Sequence, residues 1–161
     1  MPYKPVCSVE PTDEELTDLL PTTKHDIDQM FSEVSQRLST IKHPALAALA
    51  QQYLNDQDLM QKFRRAPAAM TIHHAFIGGL LEHTLNVLRL ADVLCPLYPQ
   101  LNREIILFGL FIHDLGKCVE LTWEMGFSYS EDGQLVGHIA RGVVWLPVSY
   151  THLTLPTSDL V

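Results

Sequence analysis

The stretch REIILFGLFIHDLGK, residues 103 to 117, constrains this chain more than any other. Its middle, IILFGLFI, is apolar almost all the way round a helix, and such a helix is expected at the centre of a core. Asn102 stands where an N-cap belongs and Gly116 where a helix ends. The run closes on His113 and Asp114, with Lys117 just beyond. A helix C-terminus favours cationic side chains through its dipole, which accounts for His113 and Lys117. It disfavours Asp114. The acid is therefore the informative residue, because a bound cation would reverse its penalty.

The rest of the chain reads as further helices. Ile27, Met30, Phe31, Val34, Leu38 and Ile41 recur at three- and four-residue steps, one apolar face of a helix that starts near Thr23. ALAALAQQYL predicts a second helix with Pro44 in its first turn, and Asp56 to Phe63 a short third. A long helix is expected from about Ala75 to Leu94, carrying Ile77, Leu80, Leu81, Leu85, Leu88 and Ala91 on one face. Gly78 and Gly79 fall inside it, where each costs about 1 kcal/mol relative to Ala. A glycine pair there points to close approach of a helix or a ligand. CPLYP stops the helix. VELTW and FSY, separated by EMG, alternate as a small hairpin that Trp123, Phe127 and Tyr129 are expected to pack. QLVGHIARGVVWL returns to a helical period, and Arg89 is expected on a solvated face. The fold class is all-α with a small β-hairpin insertion.

With 161 residues, 47% of them hydrophobic, the chain can bury the core of one domain. A formal charge of −8 means that the overall field does not attract nucleic acid, so a polyanionic substrate needs local cations, a metal or another domain. Cys7, Cys95 and Cys118 are an odd number without a CxxC, as reduced thiols of a cytoplasmic protein would be. No apolar run approaches the roughly 18 residues of a membrane span, and MPYKPVCSVEP lacks the apolar stretch of a signal peptide. Residues 1–22, broken by Pro2, Pro5, Pro11 and Pro21, read as a linker, and residues 23–145 as the domain. The ending LPVSYTHLTLPTSDLV has no period continuing the preceding helix and resembles translated sequencing adapter. Residues 146–161 are therefore expected to be a non-native tail.

Three histidines stand out: His83, His113 and His138. His83 lies mid-helix among leucines, where a lone histidine is ordinarily a packed or surface residue. The His113–Asp114 pair differs. Neighbouring helical residues point about 100° apart, so one ion reaches both most easily where a helix ends. Imidazole suits transition metals and carboxylate suits harder ions, so a His/His/Asp set is compatible with Mn²⁺, Fe²⁺ or Mg²⁺. The thiolates of a structural zinc site are missing. Lys117 reads either as a point charge for a phosphate oxygen or as a solvated partner of the helix dipole. His73 and His74 either face the same pocket, touching a phosphate or base, or cap the long helix. His25, His43 and His152 have no motif around them and read as surface residues.

EHTLNVLRLA, with HDLGK 30 positions after His83 (113 − 83), resembles the HD superfamily of metal-dependent phosphohydrolases. RAPAAMTIHHAFIGGLLEHTLNVLRLA, YPQLNREIILFGLFIHDLGK and GFSYSEDGQLVGHI narrow the resemblance to the YhaM-type 3′→5′ exoribonucleases, and LPTTKHDIDQMFSEV resembles their helical lead-in. The likeness covers roughly residues 19 to 145. It implies a helical HD-domain bundle that holds a divalent metal, Mn²⁺ first, with Mg²⁺, Fe²⁺ or Co²⁺ as alternatives. It implies a preceding OB-fold, absent here, that grips single-stranded RNA or single-stranded DNA, with YKPVCSVEP as the linker leaving it. Oligomerisation is compatible with it and a membrane partner is not. His83, His113 and Asp114 match the first three metal ligands, Asp114 being the carboxylate shared if two metals bind. His138 matches the next ligand and Lys117 the lysine facing the scissile phosphate, so Asp114 and Lys117 are the catalytic candidates and His73, His74 and Lys117 the substrate candidates. The implied activity of the whole protein is metal-dependent phosphodiester hydrolysis from an RNA 3′ end. Its rivals are an HD phosphohydrolase of free or signalling nucleotides and a non-catalytic HD interaction module. The family pattern continues with further histidines and a closing aspartate, in the region where the foreign-looking tail begins. Asp159, in PTSDLV, does not match it. The chain as written is expected to bind metal poorly and to be inactive.

Overall fold

The computed structural model describes residues 20–70, 74–122 and 128–154, with backbone alone for Asp132 and residues 147–154. The expectations for the N-terminal linker, Cys7, His73, Trp123, Phe127 and Asp159, and for the side chain of His152, lie outside the described residues. The body is all-α with one small hairpin, as the sequence predicts.

Helix α1, Ile27–Leu38, starts where Asp26 accepts a hydrogen bond from the Gln29 amide, and its stripe buries Met30, Val34 and Leu38. Helix α2, Pro44–Asn55, carries its proline in the first turn, where a missing N–H costs nothing. Asp56 caps α3, Gln57–Arg65, through the Leu59 amide. Helix α4, Gly79–Leu94, runs on into a 3₁₀ turn at Cys95–Leu97. The Asn102 side chain accepts from the amides of Glu104 and Ile105 and opens α5, Arg103–Ile112. A short α6, Lys117–Glu120, leads to β1, Leu121–Thr122, and β2, Ser128–Tyr129, which pair antiparallel with Leu121 opposite Tyr129. Helices α7, Glu131–Leu135, and α8, Gly137–Thr154, follow.

Helix α4 is the centre of the bundle, packed against α1, α3 and α5. Leu80, Leu81, Leu85 and Leu88 have essentially no exposure. They share the core with Phe63 and Phe111, whose rings meet edge to face at 6.0 Å, while Tyr53 meets Phe111 at 6.3 Å.

Several expectations are corrected. Helix α4 begins at Gly79, not near Ala75. Gly78 is left-handed, with φ of 82°, and the chain before it is strapped elsewhere. Ile77 forms a parallel bridge with Thr22, the Gly78 amide donates to the Arg65 carbonyl, and the Leu80 amide donates to the Ala66 carbonyl. The close neighbour of the glycine pair is the chain's own backbone, since a Cβ on Gly79 would lie 2.0 Å from the His74 oxygen. Helix α5 is not buried all round. Leu107, Phe108 and Phe111 face inward, but Ile105 is 58% exposed, because partners cover only one side of it. Gly116 does not end that helix, which stops at Ile112. It is right-handed, with φ of −57°, and precedes α6. Tyr129 is exposed, so the hairpin is not packed by it. Helix α8 continues to Thr154, with Trp145 and Leu146 against the core.

A polar frame ties α1, α4 and α5 together. Arg89, on an exposed face as expected, donates to both oxygens of Glu33, and Arg37 donates to Glu33 Oε1 at 2.7 Å. Arg37 and Arg103 also converge on Asp92. The hydrogen bond from Arg89, helped by Arg37, holds the Glu33 carboxyl down to about 2 from its ordinary 4.5. A depressed carboxyl stabilises the fold above its unfolded-state pKa, and this stabilisation is lost as pH falls from about 4.5 towards 2. Glu33→Gln is expected to cost about 1 kcal/mol at pH 7 and to lose less than the parent between pH 5 and pH 3 in urea titrations. Equal acid sensitivity in both proteins would show that Glu33 is not the group responsible.

Among the described residues no helix is long and apolar enough to cross a membrane. Cys95 and Cys118 are buried free thiols, and burial pushes the Cys118 thiol far up, which makes it unreactive.

Candidate metal centre

Three segments converge beside the C-terminal end of α5. His83 sits at the edge of the buried stripe of α4, with its side chain 31% exposed. His113 is the residue at which α5 closes, and Asp114 begins the turn that follows, nearly buried at 7% exposure. Both side chains reach one point although His113 keeps a right-handed helical backbone, with φ of −55° and ψ of −36°. His83 Nε2 and His113 Nε2 are 3.4 Å apart. Asp114 Oδ2 lies 3.6 Å from the first and 3.3 Å from the second. These three donor atoms fall within 4.8 Å of one another.

His138, in the first turn of α8, stands on the other side of the carboxylate, its Nε2 3.6 Å from Asp114 Oδ1. Gly116 makes this possible. A Cβ there would lie 2.1 Å from the His138 carbonyl oxygen, so only glycine lets the start of α8 close on the turn. Lys117 Nζ donates to Asp114 Oδ2 at 2.9 Å and to the Ala68 carbonyl at 2.8 Å, and its side chain is only 18% exposed. It is an embedded partner of Asp114 and not a solvated one. His74 lies against His83, with ring centroids 5.7 Å apart. His25 and His43 are exposed.

The far side of each ring decides what its near side can do. His113 Nδ1 lies 2.8 Å from the Leu110 carbonyl. A carbonyl can only accept, so Nδ1 carries the proton and Nε2 presents a lone pair in the neutral ring. His138 Nδ1 lies 2.8 Å from Glu120 Oε2, which orients that ring in the same sense. Glu120, buried to 9% exposure, was not singled out in the sequence. Its only signal is a carboxylate three residues after Lys117, and its partner is 18 residues further on.

Burial alone would raise the Asp114 carboxyl, but hydrogen bonds from His113 in its doubly protonated form and from Lys117 outweigh it and hold it well below the usual carboxylate range. The hydrogen bond with Asp114 raises His113 above its ordinary value. Burial lowers His83, and Asp114 only partly offsets this. The centre therefore offers a permanent carboxylate beside a histidine that burial keeps neutral.

The donor set fits a divalent ion. Bonds of about 2.0 to 2.2 Å place neighbouring donors about 3 to 3.6 Å apart, and the observed separations of 3.3, 3.4 and 3.6 Å match. Two imidazole nitrogens and one carboxylate oxygen suit a borderline or moderately hard cation.

Comparison with known proteins agrees with this chemistry. The HD domain family model matches residues 80–144, which span His83, His113, Asp114 and His138. A Geobacillus protein named 3'-5' exoribonuclease YhaM is 33% identical over 146 residues, covering 91% of this chain and 44% of the relative. Proteins of the same name from Listeria innocua and Bacillus subtilis are 35% and 28% identical, covering 77% and 96% of this chain. The chain spans between 39% and 50% of the length of these curated relatives. No solved structure matches it significantly.

Proposed function

From an HD domain over residues 80–144, in a chain similar to YhaM exoribonucleases along most of its length, we propose a metal-dependent phosphodiester hydrolase acting on the 3′ end of single-stranded RNA. One observation carries this reading: His83 Nε2, His113 Nε2 and Asp114 Oδ2 face a common point with metal-ligand spacing. These three residues would hold the divalent cation, with Mn²⁺ as first choice and Mg²⁺, Fe²⁺ or Co²⁺ as alternatives. When bound, such an ion supplies Lewis-acid stabilisation of a phosphoryl oxygen and acidifies water.

The chain's own residues do the rest. Asp114 stays ionised through the physiological range because His113 and Lys117 hold it so. Leu110 fixes the tautomer in which His113 can donate a lone pair. His138, braced by Glu120, stands on the second oxygen of Asp114, as a ligand to a second ion or a contact for the substrate. Lys117 uses two of its three N–H groups on Asp114 and Ala68, which leaves one for a phosphate oxygen. Of the other two substrate candidates, His74 packs against the His83 ring, and His73 lies outside the described residues. With a net charge of −8, the chain gains strand affinity from elsewhere, and an OB-fold in the whole protein fits that need for RNA or single-stranded DNA.

The test compares substrates for the chain and for its full-length parent in Mn²⁺. A labelled single-stranded oligoribonucleotide is expected to shorten stepwise from its 3′ end, at least in the parent, with nucleoside triphosphates left intact. Turnover of triphosphates alone would reject the exonuclease in favour of a nucleotide phosphohydrolase.

A further inference from the structure

The three histidines around Asp114 are not held alike. His113 is fixed through its far nitrogen by the Leu110 carbonyl, and His138 by Glu120. What packs against the ring of His83 is another ring, that of His74, at 5.7 Å and 65°.

His74 is held there at a cost. Its φ is 61°, and among the described residues it is the one non-glycine with a positive φ. Side chains avoid this region, and where they occupy it the surroundings must impose it. Here they do. The His74 carbonyl accepts from the Ala68 amide at 3.0 Å and presses on Gly79 at a distance no Cβ allows. The ring leans on Phe76, centroids 5.7 Å apart. Its Nε2 lies 3.7 Å from Glu82 Oε1, and Glu82 Oε2 accepts a 2.6 Å hydrogen bond from the Thr23 hydroxyl. Thr23 is itself pinned, since its amide donates to the Ile77 carbonyl at 2.9 Å. Glycine at 78 leaves room for it, as a Cβ there would come within 2.9 Å of the Thr23 methyl.

Resting on the metal reading above, we propose that His74 is a positioning residue that sets the orientation of His83, with Glu82 and Thr23 as the chain that fixes it. The Glu82 carboxylate beside Nε2 makes that nitrogen a poor seat for a phosphate, so the ring acts on His83 and not on the substrate. The segment at residues 20–23 is thereby linked to the metal centre without touching it: Thr23 donates to Glu82, Glu82 lies 3.7 Å from His74, and the His74 ring packs on that of His83.

The test is Mn²⁺ affinity, by calorimetric titration of the whole chain, read together with the melting temperature in chelator. His74→Asn tolerates a left-handed φ but removes the ring. It is expected to weaken Mn²⁺ binding about 10- to 100-fold, the usual effect of losing a residue that orients a ligand, with the metal-free melting temperature unchanged. His74→Phe restores the ring and should recover most of the affinity. Thr23→Val is expected to shift affinity in the same direction as His74→Asn, and Thr23→Ser to leave it as it was. Parent-like Mn²⁺ affinity in His74→Asn overturns the positioning role and leaves the metal site standing. If the parent chain takes up no Mn²⁺, both the metal reading and this role are wrong.

Discussion

On the function proposed above, Asp114→Ala is expected to abolish Mn²⁺ uptake and phosphodiester hydrolysis while the helical circular dichroism survives. This outcome follows from how many groups meet at one carboxylate. Its Oδ2 faces His83, His113 and Lys117, and its Oδ1 faces His138. Without it the two imidazoles remain as a weak neutral pair. A loss of about 10²- to 10³-fold or more in rate is expected, the scale of removing one charge-stabilising group from a reaction centre. Stability should also fall, by about 2 kcal/mol, because Lys117 keeps only the Ala68 carbonyl after losing a charged hydrogen-bond partner. Asp114→Asn separates shape from charge: it keeps the volume and should still fail to take up the ion. Retained uptake and hydrolysis in Asp114→Ala would end the assignment of this centre.

Gly116→Ala is the second large effect, and its sign runs against propensity. Gly116 has an ordinary right-handed backbone, so exchanging glycine for alanine would by itself stabilise the fold by about 0.5 to 1 kcal/mol. The new Cβ, however, would lie 2.1 Å from the His138 oxygen and 2.7 Å from its carbonyl carbon. These are backbone atoms and cannot rotate aside. Helix α8 must shift, and His138 leaves both Asp114 and Glu120. Overpacking of this kind costs about 1 to 3 kcal/mol. Urea unfolding should show that loss, and the His138 ring resonances should move. A variant as stable as the parent would mean that α8 does not sit on the turn as described.

The parts legible in the sequence are those that local chemistry decides. Asp26, Asp56 and Asn102 cap helices because a short acceptor side chain next to an apolar period has few other uses. The stripe of Met30, Val34, Leu38 and Ile41 is buried because its spacing leaves one face to bury. Asp114 drew notice because a helix end should repel it. What was not legible depends on remote partners. The start of α4 was placed too early because the strap from Thr22 to Ile77 crosses more than fifty residues of sequence (77 − 22 = 55). The apolar run of α5 reveals that a side is available for burial, but not that a neighbour covers only part of it. Glu120 acts through His138, and Leu110 through a backbone oxygen that every residue has, so neither carries a mark in the sequence.

The bond between Lys117 and Asp114 has a consequence for how the domain stands between metal loads. Lys117 is a resident counter-ion. It compensates the buried carboxylate through a 2.9 Å ion pair, so a divalent cation bound at Asp114 would compete with a cation already in place. Part of the attraction that a bare carboxylate would offer is already spent on the lysine, which trades affinity for readiness. Unlike a small zinc-nucleated module, whose fold appears only with its ion, this bundle rests on its leucines and phenylalanines. A metal at this centre would therefore have to win Asp114 from Lys117, and the leucine and phenylalanine core does not need it to hold together.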